Sequence, residues 1–216
     1  TWSPSLEATT FEGFSAKDFE VFDIPDFPGR MSKIRAQIQP KLLALGEALA
    51  PPLAGAVGGD VFAHVAKHMR RTVNPPDDTW VAFGPEKRGY KKAPHLKMAI
   101  SRHCVRFLFE VGPEYAEKWK WAAAWQRQAG RLVLALRKVK GLGWYKNEHD
   151  EEPAADLHEM APQALKLLAQ KLTRRRDGQL VLGRRLAAAE ITRMRPADFE
   201  RAAATAFKDL LPLYRL

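Results

Sequence analysis

Apolar residues recur at three- or four-residue spacing towards both ends of the chain and at every second residue in its middle, so the pattern separates helices from strands. The segment SAKDFEVF predicts a short helix capped by Ser15, followed by a turn through Pro25, Pro28 and Gly29. In MSKIRAQIQPKLLALGEALAPPL, the residues Met31, Ile34, Ile38, Leu42, Leu45 and Leu49 form one helical stripe. Pro40 predicts a kink or break there, and Pro51 with Pro52 predicts its end. After the turn GAVGGD, Val61 to Val73 is expected as a strand, and TWVAF as another. GPEKRGYKKAP reads as a loop or wide hairpin, and HLKMAIS pairs with HCVRFLFEV across a turn near Arg102. A long helix from Pro113 to Val139, a GWYKN strand, a helix from Ala155 to Leu172, the strand QLVLGRRL and a last helix from Pro196 to Leu211 complete the prediction.

Strands clustered between long helices imply an α+β fold: a single domain with a mainly antiparallel, curved sheet covered by long helices. It is expected over residues 1–216, with 1–10 as a loose N-terminal extension and 146–156 as an acidic loop. Strand alternation then divides the side chains between two faces. Val105, Phe107, Phe109 and Val111 form the apolar set of the last hairpin strand, which turns Cys104, Arg106, Leu108 and Glu110 the other way. Leu96, Met98 and Ile100 likewise oppose His95, Lys97 and Ser101. In an extended 61–73 segment, Val65 and Met69 point to the core while His64, His68 and Arg70 join the polar set.

Composition sharpens this pattern. Apolar residues at 46% and charged residues at 28% are those of an ordinary globular chain. No apolar run is long enough to span a membrane, TWSPSLEATTFEGF lacks the form of a secretory signal, and a single cysteine, Cys104, suits a reducing compartment, so a cytoplasmic location is expected. Cys104 itself reads as a structural thiol. The net charge of +10 favours anionic partners of some kind. Between His64 and Arg106 lie four of the six histidines and ten Lys or Arg against Asp77, Asp78 and Glu86. The opposite sign gathers in Glu148, Asp150, Glu151, Glu152, Asp156 and Glu159, expected as a loop that folds against the basic surface.

The polar set supports one site. His64, His68, Arg70, Arg71, Asn74, Arg88, Lys91, His95 and Lys97, with Trp80 or Tyr90 stacking, are the candidate ligand-binding residues for an anionic, phosphate- or carboxylate-bearing small molecule. The alternative is a nucleic-acid-binding module in which the same strip contacts phosphates and aromatic groups stack on bases. His64 and His68 have the spacing of two ligands on a helix, but no HExxH motif or cysteine pair accompanies them, so no metal is expected. No nucleophilic triad or phosphate loop is present in the sequence, no cofactor is indicated, and no catalytic residue is assigned. Asp77 and Asp78 read as turn caps. Trp121 and Trp125 read as core, with Trp119 at its edge.

The runs HVAKHMRRTVNPPDDTWVAF and RGYKKAPH, with the opening FEGFSAKDFEVFDIP and the closing LLPLYRL, resemble the YktB-like family of uncharacterised bacterial proteins. The resemblance spans roughly Phe11 to Leu216 and implies a single-domain cytoplasmic α+β protein. It brings no catalytic residues with it.

Overall fold

A computed structural model describes residues 10–216; the extension expected over 1–10 lies, apart from Thr10, outside them. Helix α1 (Ala16–Glu20) starts at Ser15, whose backbone N–H donates to Asp18 in a capping box. Helix α2 (Phe27–Lys33) is capped by Asp26 and runs through a π-helical turn at Ile34–Ile38 into α3 (Gln39–Val57). The kink expected at Pro40 is this π turn, in which the Gln39 N–H reaches back to the Ile34 carbonyl and the helix continues. Pro51 and Pro52 do not end α3. Leu49 and Leu53 on either side of them are buried, while Glu47 and Ala48, whose carbonyls lose their donors, are exposed to water. Packing therefore carries the helix on to Gly58, which closes it at φ +70°.

The strands are β1 (Phe62–Val65), β2 (Asp78–Gly84), β3 (His95–Ser101) and β4 (Cys104–Val111). After α4 (Lys118–Lys138) come β5 (Gly143–Tyr145), β6 (Ala155–Asp156), α5 (Pro162–Leu167), α6 (Gln170–Arg174), β7 (Leu180–Ala187), α7 (Ala188–Ile191) and α8 (Pro196–Tyr214). All pairings are antiparallel, in the open order β1-β2-β3-β4-β7-β5-β6. The α+β architecture is the expected one. Two further elements differ from their prediction. The strand expected over 61–73 leaves the sheet after Val65, because His68 takes a left-handed backbone (φ +51°) and bonds sideways to Thr79. Met69, expected in the core, is consequently 83% exposed. The helix expected over 155–172 is divided: Ala155 and Asp156 pair with β5, and Asp156 turns the chain by accepting from the His158 N–H before Pro162 starts α5.

One face of the sheet is apolar. Val81, Phe83, Leu96, Met98, Ile100, Phe107 and Phe109 pack there against α3, α4 and α8. Phe207 of α8 sits edge-on to Phe83 and Phe107, at 5.5 and 5.7 Å between ring centres. Trp121 and Trp125 stack at 5.8 Å, and each indole N–H finds a backbone carbonyl, whereas Trp119 is 60% exposed. Gly183 lets β7 lie close on β4, since a Cβ there would collide with the Phe107 carbonyl and the Leu108 side chain. The opposite face is buried as well. Every residue of β2, β3 and β4 is buried, so the polar residues of these strands lie beneath a cover rather than in water.

Candidate anion-binding site

Three neighbouring strands bring the polar set together. In register, Trp80 of β2 lies beside Ala99 of β3 and Ala82 beside Lys97, while Lys97 faces Leu108 and His95 faces Glu110 of β4. These small and apolar neighbours leave room for long side chains to meet above the sheet. The Lys97 ammonium is 2.8 Å from Glu110 and 2.8 Å from Glu148, which arrives on the 146–154 loop. It also lies 4.9 Å above the Trp80 ring. His95 bridges the Ala93 carbonyl through Nδ1 (2.9 Å) and Glu110 through Nε2 (2.8 Å). The Trp80 indole N–H donates to the Tyr90 hydroxyl at 2.7 Å, and Tyr90 packs against the rings of His64 and His95. His64 Nε2 lies 2.8 Å from the Glu86 carbonyl oxygen, and His68 stands edge-on to Trp80.

A second ionic group adjoins the first. Arg106, fully buried, pairs with Asp78 at 2.6 Å and donates to the carbonyls of Glu148 (2.5 Å) and Asp150 (2.9 Å), thereby pinning the loop. His149 Nδ1 lies 2.9 Å from Asp78 Oδ1. Glu151 ties the far end of the same loop to the Ser101 hydroxyl and the His103 N–H. The acidic loop thus folds onto the basic face, as its charge predicts.

Burial and charge compete at Glu110, Lys97 and Asp78. Burial alone would raise the Glu110 carboxyl, but Lys97 and His95 hold it down to about 2. Desolvation opposes the charge on Lys97, and Glu110, Glu148 and Asp78 together push its pKa above the ordinary lysine value. Asp78 is likewise kept well below the usual carboxylate range despite burial, by the hydrogen bond with His149 and by Arg106. The same bond from Asp78 raises His149. His68, with no such partner at close range, is pushed down to about 4 by desolvation, and burial lifts Tyr90 to about 12.

The structure therefore gathers His64, His68, Trp80, Tyr90, Lys91, His95 and Lys97 around one cluster. Arg70, Arg71, Asn74 and Arg88 remain exposed on the flanking loops and do not join it. Five residues of the two ionic groups were not among the candidates: Asp78, Arg106, Glu110, Glu148 and His149. Glu110 and Arg106 carried a readable signal, two charges four positions apart on one face of a strand that is otherwise apolar. Asp78, read as a turn cap, is the buried first residue of β2. Beside Lys91, His95, Glu110 and Glu148 lies a cavity of about 60 Å³, room for more than one water-sized group. Among the described residues, no group of three or more His, Cys, Asp or Glu side chains is arranged to hold a metal ion. No described helix is long and apolar enough to cross a membrane.

The family model described as a domain of unknown function, DUF1054, matches residues 14–214. The chain belongs to this family. A UPF0637 protein of Macrococcus caseolyticus is 35% identical over 201 residues, covering 93% of this chain and 97% of the relative. UPF0637 proteins of Bacillus velezensis and Listeria monocytogenes are 33% and 32% identical, covering 94% and 95% of this chain and 95% and 98% of their own lengths. The resemblance read from the central runs is thereby borne out. The DUF1054 match includes every strand of the sheet and the loop that caps it. The function of this family is not established.

Proposed function

We propose that this protein binds a small anion, bearing a phosphate or carboxylate group, at the Lys97 ammonium in the space that the Glu148 side chain occupies. One observation carries this reading. A lysine with no exposed surface is neutralised in part by Glu148, a carboxylate that reaches in from a loop and that also lines the cavity beside Lys91, His95 and Glu110. Glu148 is 24% exposed and can rotate outwards without moving the pinned backbone, so an external anion can take its place on Lys97. Lys91, 3.9 Å from Glu148, supplies a second positive charge. His95 lines the cavity, His64, His68, Trp80 and Tyr90 pack beside it, and Lys97 over the Trp80 ring keeps the ammonium aimed. Arg70, Arg71, Asn74 and Arg88 then act as a basic and polar rim that concentrates anions at the entrance.

The nucleic-acid alternative retains that rim but loses its stacking platform, since Trp80 is only 9% exposed and hydrogen-bonds to Tyr90. Thermal-shift and calorimetric titration with inorganic phosphate, sulfate, acetate and succinate tests the proposal. Ligand at a hundred times its Kd is expected to stabilise the protein by about 2.7 kcal/mol. Glu148→Gln is expected to tighten binding and Lys97→Met to abolish it. If none of these anions shifts the melting temperature of either the wild type or Glu148→Gln, the reading is wrong.

A further inference from the structure

The contacts around Glu148 say more about the shape of the anion, given that an anion binds there. One carboxylate oxygen, Oε2, meets Lys97 at 2.8 Å. The other, Oε1, is stretched between Lys91 Nζ at 3.9 Å and His149 Nε2 at 3.6 Å, making a full hydrogen bond to neither. Three nitrogen groups from three segments, β3, the loop after β2 and the 146–154 loop, therefore converge on a planar group with only two oxygens. A tetrahedral oxyanion has an oxygen for each of them.

We propose that the site selects a tetrahedral oxyanion of the phosphoryl type, and that His149 is its third contact, donating a hydrogen bond from protonated Nε2. The ring is already oriented for this. Asp78 accepts at Oδ1 and Oδ2, 2.9 and 3.1 Å from Nδ1, which fixes the hydrogen on that nitrogen and leaves Nε2 turned towards the anion position. The groups facing His149 are Asp78 of β2, Lys97 of β3, Glu148 of its own loop, His68 of the loop after β1 and the Trp80 ring at 5.9 Å. Arg106 of β4 stands behind Asp78. Removing Glu148 from this set leaves the cations in excess, with Glu110 shared between Lys97 and His95, which suits a dianion. Because Lys97 is enclosed beneath the loop, the ligand is a free small anion rather than a headgroup held in a membrane surface.

Sulfate is the probe for pH dependence because it stays a dianion throughout, while phosphate and glycerol 3-phosphate test the phosphoryl group directly. Sulfate binding is expected to weaken as pH rises from 5.5 to 8.5 and to be accompanied by proton uptake at the upper end of that range. His149→Asn keeps a donor for Asp78 but places no cation at Nε2. It is expected to weaken sulfate and phosphate binding at least tenfold at pH 6 and to flatten the pH profile, leaving acetate binding nearly unchanged. If Lys97-dependent binding of these anions survives in His149→Asn with the same affinity and pH profile, this inference fails and the anion reading stands. If acetate binds as tightly as phosphate, the selection for a tetrahedral group fails. Capture by phosphatidate vesicles without binding of free phosphate would likewise overturn it. If no anion binds to the wild type or to Glu148→Gln, both readings fall together.

Discussion

The two faces of the sheet are buried to the same degree and by opposite means. On one, Phe83, Phe107 and Phe109 lose water to the side chains of three long helices, and the driving force is the area removed from solvent. On the other, Lys97, Glu110, Arg106 and Asp78 are equally enclosed, yet the cover is irregular chain, chiefly the 146–154 loop, fastened by ions and backbone carbonyls. Taking charges out of water costs more than their attraction readily returns, so a sheet built only for stability would place apolar groups there. The apolar face shows what the fold needs. The ionic face, kept at that cost, is where selection for binding is the more economical explanation.

The largest test of this contrast is a pair of substitutions on adjacent residues of β4. Phe107→Ala is expected to cost about 3–5 kcal/mol by leaving a cavity. Arg106→Met is expected to cost a similar amount, about 3–5 kcal/mol, by leaving Asp78 buried with only His149 as partner. The difference lies in rescue: adding Asp78→Asn to Arg106→Met should recover a large part of the loss, whereas no polar substitution should recover Phe107→Ala. Urea unfolding of the singles and the double measures it, and additivity across Arg106 and Asp78 would show that the ionic face is not a coupled unit.

Acid should separate the faces next. Glu110 sits at about 2 in the folded protein, below the ordinary 4.5 of a glutamate, so its contribution is complete above pH 4.5 and is lost as pH falls towards 2. His68, held neutral down to about 4, contributes stability that is complete above pH 6.5 and is lost between 6.5 and 4, where the unfolded chain takes up a proton that the folded one refuses. Unfolding free energy measured from pH 7.5 to 3 should therefore decline in two stages, and His68→Gln should remove the first. Amide exchange over the same range should open the 146–154 loop before α8; simultaneous opening would contradict the contrast.

Smaller effects mark the edges of each region. Glu148→Gln is expected to destabilise by about 1 kcal/mol or less, because its carboxylate is partly solvated, even as it improves anion binding. Trp119→Ala, on the solvent side of α4, should change stability by no more than about 0.5 kcal/mol, unlike its neighbour Trp121.

Much of this molecule was readable as pattern. The hairpin of β3 and β4, the helices α4 and α8, and the division of His95 and Lys97 from Leu96 and Met98 all follow from local spacing. Where reading failed, a tertiary contact had overruled a local preference: Leu49 and Leu53 carried α3 past its prolines, and His68 left the strand for Thr79 and Trp80. The site was only partly legible for a related reason. Imidazoles and cations advertise themselves by residue type, but Asp78 looked like one more turn aspartate, and His149 lay 71 positions away from it.

The sequence by itself determined which side chains share a face, because successive Cβ atoms of a strand point to opposite sides whatever surrounds them. Only the tertiary structure decided that the polar face is closed, since the pairs Lys97–Glu148 and Asp78–His149 are made by chain folding back over some fifty to seventy residues, and no local periodicity encodes a contact of that range.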